Sequence, residues 1–212
     1  MEVSRYGIRM RRLMPDQLET VRQWRNKDRV RLSMEKQELI SEKQQLEWYN
    51  SLDLETNFFF VADFEGQPAA LLHIKEVDWL AASGESGIFV GEESFLNSSY
   101  PLLAVLALND LAFFLFGLKT LYAKIANSEA YNRQFNEALG FISSPKPCSP
   151  AFQYYALKCD AYLAKAGKFR NTAGKAYGWK TQLQGISNDV QIEKLLGQLS
   201  DENRQMLQIE SR

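Results

Sequence analysis

Residues 85–141 read ESGIFVGEESFLNSSYPLLAVLALNDLAFFLFGLKTLYAKIANSEAYNRQFNEALGF, and the order of elements in this stretch decides the fold. The apolar run Gly87-Ile88-Phe89-Val90-Gly91 predicts a strand. A short polar loop over 95–100 leads into an apolar helix over 101–115, begun by Pro101, because proline suits the first helical turn. Residues 120–125 predict a further strand, and a second helix ends on Leu139-Gly140-Phe141. The amides at the start of the first helix point outward and make the loop an anion-cradling turn.

Working outward, residues 7–13 predict a first strand with Ile8, Met10 and Arg12 on one face and Arg9, Arg11 and Leu13 on the other. Met14-Pro15-Asp16 stops it and starts a helix in which Leu18, Val21 and Trp24 recur up to Asn26. A helical piece over 29–34 follows. Ser41 is a good N-cap for a helix carrying Leu46, Trp48, Tyr49 and Leu52. Residues 57–63 and 68–77 predict an antiparallel pair turning at Glu65-Gly66-Gln67. Three prolines make 143–150 a loop before a closing strand over 152–159. Residues 160–170 read as a short helix, 171–188 as a linker and 189–209 as an amphipathic helix. The chain thus divides into a domain over 1–160 and a helical extension with its linker over 161–212. The stripe Ile192, Leu195, Leu196 and Leu199 needs cover, from this domain or from a second copy in a homodimer.

The 212 residues can bury one sizeable core; 45% are hydrophobic and 24% charged, a soluble globular balance. A formal net charge of −1 provides no field for nucleic acid, and Arg9-Met10-Arg11-Arg12 reads as a solvated strand face. Cys148, Cys159 and the sole histidine, His73, cannot complete a zinc site without carboxylates, so no metal is expected. The apolar run over 102–118 is too short for a membrane and is interrupted by Asn109 and Asp110. The first residues, Met-Glu-Val-Ser-Arg, do not form a signal peptide, so a cytoplasmic location is expected.

Two segments carry a family resemblance: residues 85–141, and Val21-Arg22-Gln23-Trp24-Arg25-Asn26 with Val30-Arg31, Met34, Ile40-Ser41, Trp48 and Leu52. Together they resemble the Gcn5-related N-acetyltransferases (GNAT superfamily), in particular amino-sugar N-acetyltransferases of the pseudaminic-acid type and enzymes acetylating ribosomal-protein N-termini. The resemblance implies an α/β (α+β) GNAT fold. Its mixed, mostly antiparallel sheet splays between the fourth and fifth strands, helices cover both faces, and a C-terminal helix is added. It implies acetyl-CoA as the acyl donor and direct transfer to an amine on a small molecule, such as an amino-deoxy sugar nucleotide. The chain departs from the family pattern at three places. The loop Phe95-Leu96-Asn97-Ser98-Ser99-Tyr100 lacks the family's glycines, Glu129 stands where an asparagine is usual, and Asn136 where a tyrosine acid is usual.

Site residues follow from the resemblance. Phe89, Val90 and Gly91, with Ile88, would offer backbone groups to the acyl-pantetheine arm and its thioester carbonyl. Asn97, Ser98, Ser99, Tyr100, Leu102 and Leu103 would hold the diphosphate at the helix N-terminus. Glu85 is the candidate base for the amine, and Asn136 or Tyr131 would assist the leaving thiol. Trp24, Arg25, Asn26 and Met34 would close over the acceptor, though Trp24 also reads as core. His73 lies on a strand able to look into the cleft, or serves as a histidine bonded to its neighbour. Two alternatives stay open: acetylation of protein N-termini, and a GNAT scaffold that has lost transfer and serves as a binding or assembly module.

Overall fold

A computed structural model describes residues 1–185 and 189–209. The last three positions of the linker read at 171–188, and residues 210–212 of the extension, lie outside the described residues.

The chain begins with a hairpin of β1 (Glu2–Arg5) and β2 (Ile8–Arg12). Tyr6 and Gly7 join them, both at positive φ (54° and 77°), as a tight two-residue turn requires. The sequence reading began only at residue 7 and missed β1. Its single aliphatic, Val3, shares the buried face with Arg5, whose side chain is turned inward, so the hydropathy pattern is hidden.

The remaining strands are β3 (Phe58–Phe64), β4 (Gln67–Asp78), β5 (Ser83–Val90), β6 (Thr120–Ala126), β7 (Ile142–Ser143), β8 (Phe152–Lys158) and β9 (Gln182–Gln184). Among the described residues they form one sheet in the order β7-β8-β6-β5-β4-β3-β2-β1-β9. Only β5 and β6 run parallel. The splay expected between the fourth and fifth strands falls between the same two segments, which count here as β5 and β6 because β1 precedes them.

Alternation along β3 feeds two cores. Phe58 and Phe60 face the larger one, Phe59 and Val61 the smaller. The smaller lies under α1 (Leu18–Asn26) and α3 (Glu42–Asn50), the latter started by the expected N-cap Ser41 in a capping box with Gln44; α2 (Asp28–Arg31) lies between them in the chain. The larger surrounds α4 (Tyr100–Asp110), which continues as a π-helical segment, Leu111–Leu115, and is apolar all round because it is buried. α5 (Ala130–Leu139) and α6 (Cys159–Tyr177) pack on the same side through Leu139, Tyr162 and Ala166.

The C-terminal region differs from its sequence reading. α6 runs through Tyr177, so residues 171–177 are helix and not linker. Their small side chains are a packing surface: a Cβ on Gly174 would lie 2.1 Å from the Trp179 indole that folds back onto the helix. Within the rest of that stretch, β9 pairs with β1 at the sheet edge. The single amphipathic helix is two, α7 (Val190–Gly197) and α8 (Asp201–Leu207), separated by the N-cap Ser200. Ile192 and Leu207 are buried in the domain's own core, with Leu195, Leu196 and Leu199 packed against it. The stripe is covered by its own chain and no longer calls for a second copy.

Both cysteines are free. Among the described residues no helix is long and apolar enough to cross a membrane, and no group of three His, Cys, Asp or Glu is placed to hold a metal.

Candidate functional site

β5 and β6 pair only at Ser83↔Thr120, Gly84↔Leu121 and Glu85↔Tyr122, although both strands continue. Beyond Glu85, β5 is held by β4 and β6 by β8, and a gap opens between them. Which amides face that gap follows from the ladder. The Gly91 N–H donates to the Ala69 carbonyl (2.7 Å), making Val90↔Ala70 a non-hydrogen-bonded pair. By alternation Ser86, Ile88 and Val90 turn their backbone groups toward β6; the Glu85↔Tyr122 pairing takes the Ser86 N–H, so Ile88 and Val90 are the ones that face the gap, while Phe89 turns its own to β4. Of the backbone groups expected to serve an acyl arm, those of Phe89 and the Gly91 amide are thus committed to β4. The Val90 carbonyl accepts from Arg29 (2.7 Å) and the Gly91 carbonyl from Lys27 (2.8 Å).

Glu85 lies at the inner end of the gap, 6% exposed. Lys75, its register partner on β4, places Nζ 3.0 Å from Oε1, and Tyr154 on β8 donates its hydroxyl to Oε2 at 3.0 Å. Burial, then the Glu85 charge, pushes the Tyr154 phenol up, so it stays a donor. His73 Nε2 lies 4.0 Å from Glu85 Oε1, buried and without a hydrogen-bond partner. Burial and the neighbouring Lys75 hold its imidazole neutral, down to about 3. The ring can lie there only because position 87 is glycine, where a Cβ would come within 2.6 Å of His73 Cε1. Tyr122 and Tyr154 stand edge to face at 6.4 Å, and the Lys146 ammonium rests 4.8 Å and 4.4 Å from their ring centres.

Over this face runs the segment 32–41, between α2 and α3. Glu35 ties it to Lys124 on β6 and to the Ser149 hydroxyl (2.7 Å). The residues expected to close over an acceptor instead anchor this segment. Arg25 donates to the Lys36 carbonyl. Asn26 gives to the Ile40 carbonyl and accepts from the Ile40 N–H, both at 2.8 Å. Met34 is half-buried within the segment. Trp24 is core, as its helical spacing also allowed: it is 2% exposed, bonds Glu92 (2.5 Å), and lies where a Gly91 Cβ would be 2.1 Å away.

In the loop over 95–100, Ser98 donates from N and Oγ to the Phe95 carbonyl (3.3 and 2.6 Å), and Tyr100 N–H donates to Ser98 Oγ (3.1 Å). Leu103 N–H is taken by the Ser99 carbonyl at 3.0 Å. Tyr100 turns inward, its hydroxyl on the Ala62 carbonyl. These bonds occupy three of the amides assigned to a diphosphate. Yet Ser99 at the N-cap makes no side-chain capping bond, and the first turn of α4 has no acidic residue. A buried helix with that N-terminus suits an anion.

α5 carries the two residues proposed to assist the leaving thiol. The Asn136 amide donates to the Asn132 carbonyl of its own helix (2.8 Å), and Tyr131 is 75% exposed. The phenol beside Glu85 is Tyr154 instead. Counting along the closing strand could not identify it, because only the β6–β8 register brings it opposite Lys124 and within reach of β5.

A mixed sheet opened at its parallel pair, a buried helix starting at that opening, and helices on both faces make the GNAT fold. The chain is similar in structure to a spermidine N-acetyltransferase from Vibrio cholerae in complex with CoA and spermine, with TM-score 0.65 and 18% identity over 74% of this chain and 98% of that one. It is also similar to the aminoglycoside acetyltransferase AAC(6')-Ib in complex with coenzyme A (TM-score 0.63, 15% identity, 74% and 98% covered). An uncharacterised protein from Bacillus halodurans gives TM-score 0.68 at 13% identity, over 82% and 97%. No protein-family profile and no curated protein matches the sequence.

Proposed function

We propose that this chain is an acetyl-CoA-dependent N-acetyltransferase that acetylates an amine of a small molecule by direct transfer. The observation carrying the proposal is the free edge of β5 opening directly above the buried Glu85 carboxylate. Two of the similar structures named above, the spermidine and the aminoglycoside acetyltransferases, act on amines, which supports the acceptor class. An amino-deoxy sugar is the first acceptor to test.

Acetyl-CoA brings the thioester. The gap-facing backbone of Ile88 and the N–H of Val90 receive its arm, and the N-terminus of α4 at Ser99 takes its diphosphate charge. Glu85 accepts the proton that the acceptor ammonium must lose, with Lys75 and Tyr154 fixing both carboxylate oxygens. His73, held neutral, supplies an imidazole nitrogen beside that carboxylate for a polar group of the acceptor. The thiolate leaves unassisted by α5, which is tolerable near neutral pH.

Titration calorimetry with acetyl-CoA tests the donor; no binding at millimolar concentration rejects the proposal. Thiol release against amino sugars, polyamines and peptide N-termini then separates acceptors. A second reading, a scaffold without transfer, is favoured by the internally bonded amides of Ser98, Tyr100 and Leu103 and by Arg29 on the Val90 carbonyl. Turnover removed by Glu85→Gln defeats it.

A further inference from the structure

We infer that the corner made by Tyr122, Tyr154 and Glu85 is a binding site for a primary alkylammonium group, and that Lys146 is a tethered occupant which an incoming acceptor displaces. The inference rests on the acyl-transfer reading for its biological role, but its geometry stands apart from acetyl-CoA.

Lys146 belongs to the proline-rich loop between β7 and β8, flanked by Pro145 and Pro147. Its Nζ rests against two tyrosine rings at 4.4 and 4.8 Å, within the range where an ammonium is attracted to a ring face. Lys124 also approaches the Tyr154 ring, at 5.8 Å, but is committed to Glu35. Lys146 makes no ion pair among the described residues, so the rings are what its charge has found. The Tyr154 ring is oriented by its own hydroxyl bond to Glu85, which puts an ammonium on that ring face within one side chain of the proposed base. An amine acceptor needs that combination: ring faces that hold its cation, next to the group that removes its proton.

A lysine on a loop stiffened by two prolines is presented at high effective concentration and competes with free amines. Removing it exposes the corner without touching Glu85, Tyr122 or Tyr154.

The test uses the full chain without acetyl-CoA and n-butylammonium chloride as the probe, a mimic of the lysine side chain, followed by titration calorimetry or NMR shifts. Lys146→Ala is expected to bind it about tenfold more tightly than wild type, since the tethered competitor is gone. Adding Tyr122→Leu to that variant is expected to abolish binding. Equal affinity in wild type and Lys146→Ala, or no binding to either, overturns the inference. Lys146→Gln serves as a second variant should the alanine form fail a circular-dichroism check of folding. Acetyl-CoA binding without any effect of Lys146 removes this site and leaves the acyl-transfer reading. Butylammonium binding without acetyl-CoA binding does the reverse.

Discussion

Tyr154 on β8 reaches across the intervening strand β6 to donate its hydroxyl to Glu85 on β5, at 3.0 Å. The bond ties the two limbs of the splayed sheet together at the point where their pairing ends. If Glu85 is the base, Glu85→Gln should lower the rate of thiol release by about 10²- to 10⁴-fold while leaving the fold intact. Tyr154→Phe removes one of two carboxylate partners and should cost less, about tenfold. A Glu85→Gln protein acetylating at the wild-type rate contradicts the assignment.

His73 makes stability depend on pH. Its imidazole is held down to about 3 from an ordinary 6.5, so below pH 6.5 the unfolded chain takes up a proton that the folded chain refuses. The contribution is complete above pH 6.5 and is lost progressively as pH falls toward 3, by up to about 1.4 kcal/mol per pH unit. Urea midpoints of wild type and His73→Leu at pH 7 and pH 5 measure it. The wild type should lose more than the variant over that interval, and parallel losses would refute the depressed value.

Gly91 is where α1 meets the sheet. A methyl there would sit 2.1 Å from the Trp24 indole, so Gly91→Ala must push the ring from its pocket, at a cost of about 1–3 kcal/mol. Trp24→Ala in the same background should remove most of that added penalty, because the clash partner is gone. A double-mutant cycle by chemical denaturation reads the coupling, and strict additivity would argue against the contact.

Asp110, fully buried at the end of α4, accepts from Arg5, Tyr6, Tyr162 and Arg170. The Arg5 guanidinium also bonds the carbonyls of Trp179, Met206 and Leu207. Asp110→Ala strands two buried cations and should cost about 3–5 kcal/mol. Truncation after residue 188 removes two of those carbonyls and uncovers the core around Ile192 and Leu207. The truncated chain is therefore expected to aggregate or unfold. A well-folded truncation product with the wild-type melting temperature would contradict this.

Much of the fold was legible from local patterns. The strand Phe58–Phe64, the turn at Gly66, the buried helix begun near Pro101 and the Ser41 cap each follow from a few adjacent residues. The failures share one cause. β1 hides behind an inward arginine, α6 was cut short at small residues that pack under Trp179, and Arg25 and Asn26 spend their groups on internal contacts. In each case a specific side-chain contact decides, and no local hydropathy period records it.

By itself the sequence determined where the central elements lie and that Glu85 stands at the start of a strand, because hydrophobic alternation and helix punctuation are short-range properties of the chain; the opening beside that strand was implied only by the family resemblance. Only the tertiary structure decided what surrounds that carboxylate. Lys75 is opposite Glu85 through hairpin register, Tyr154 arrives through a second register 69 residues away, and Lys146 arrives through a loop. Strand register is fixed by the whole core packing at once, since a slip of one residue would turn Glu85 and both tyrosines to the opposite face of the sheet.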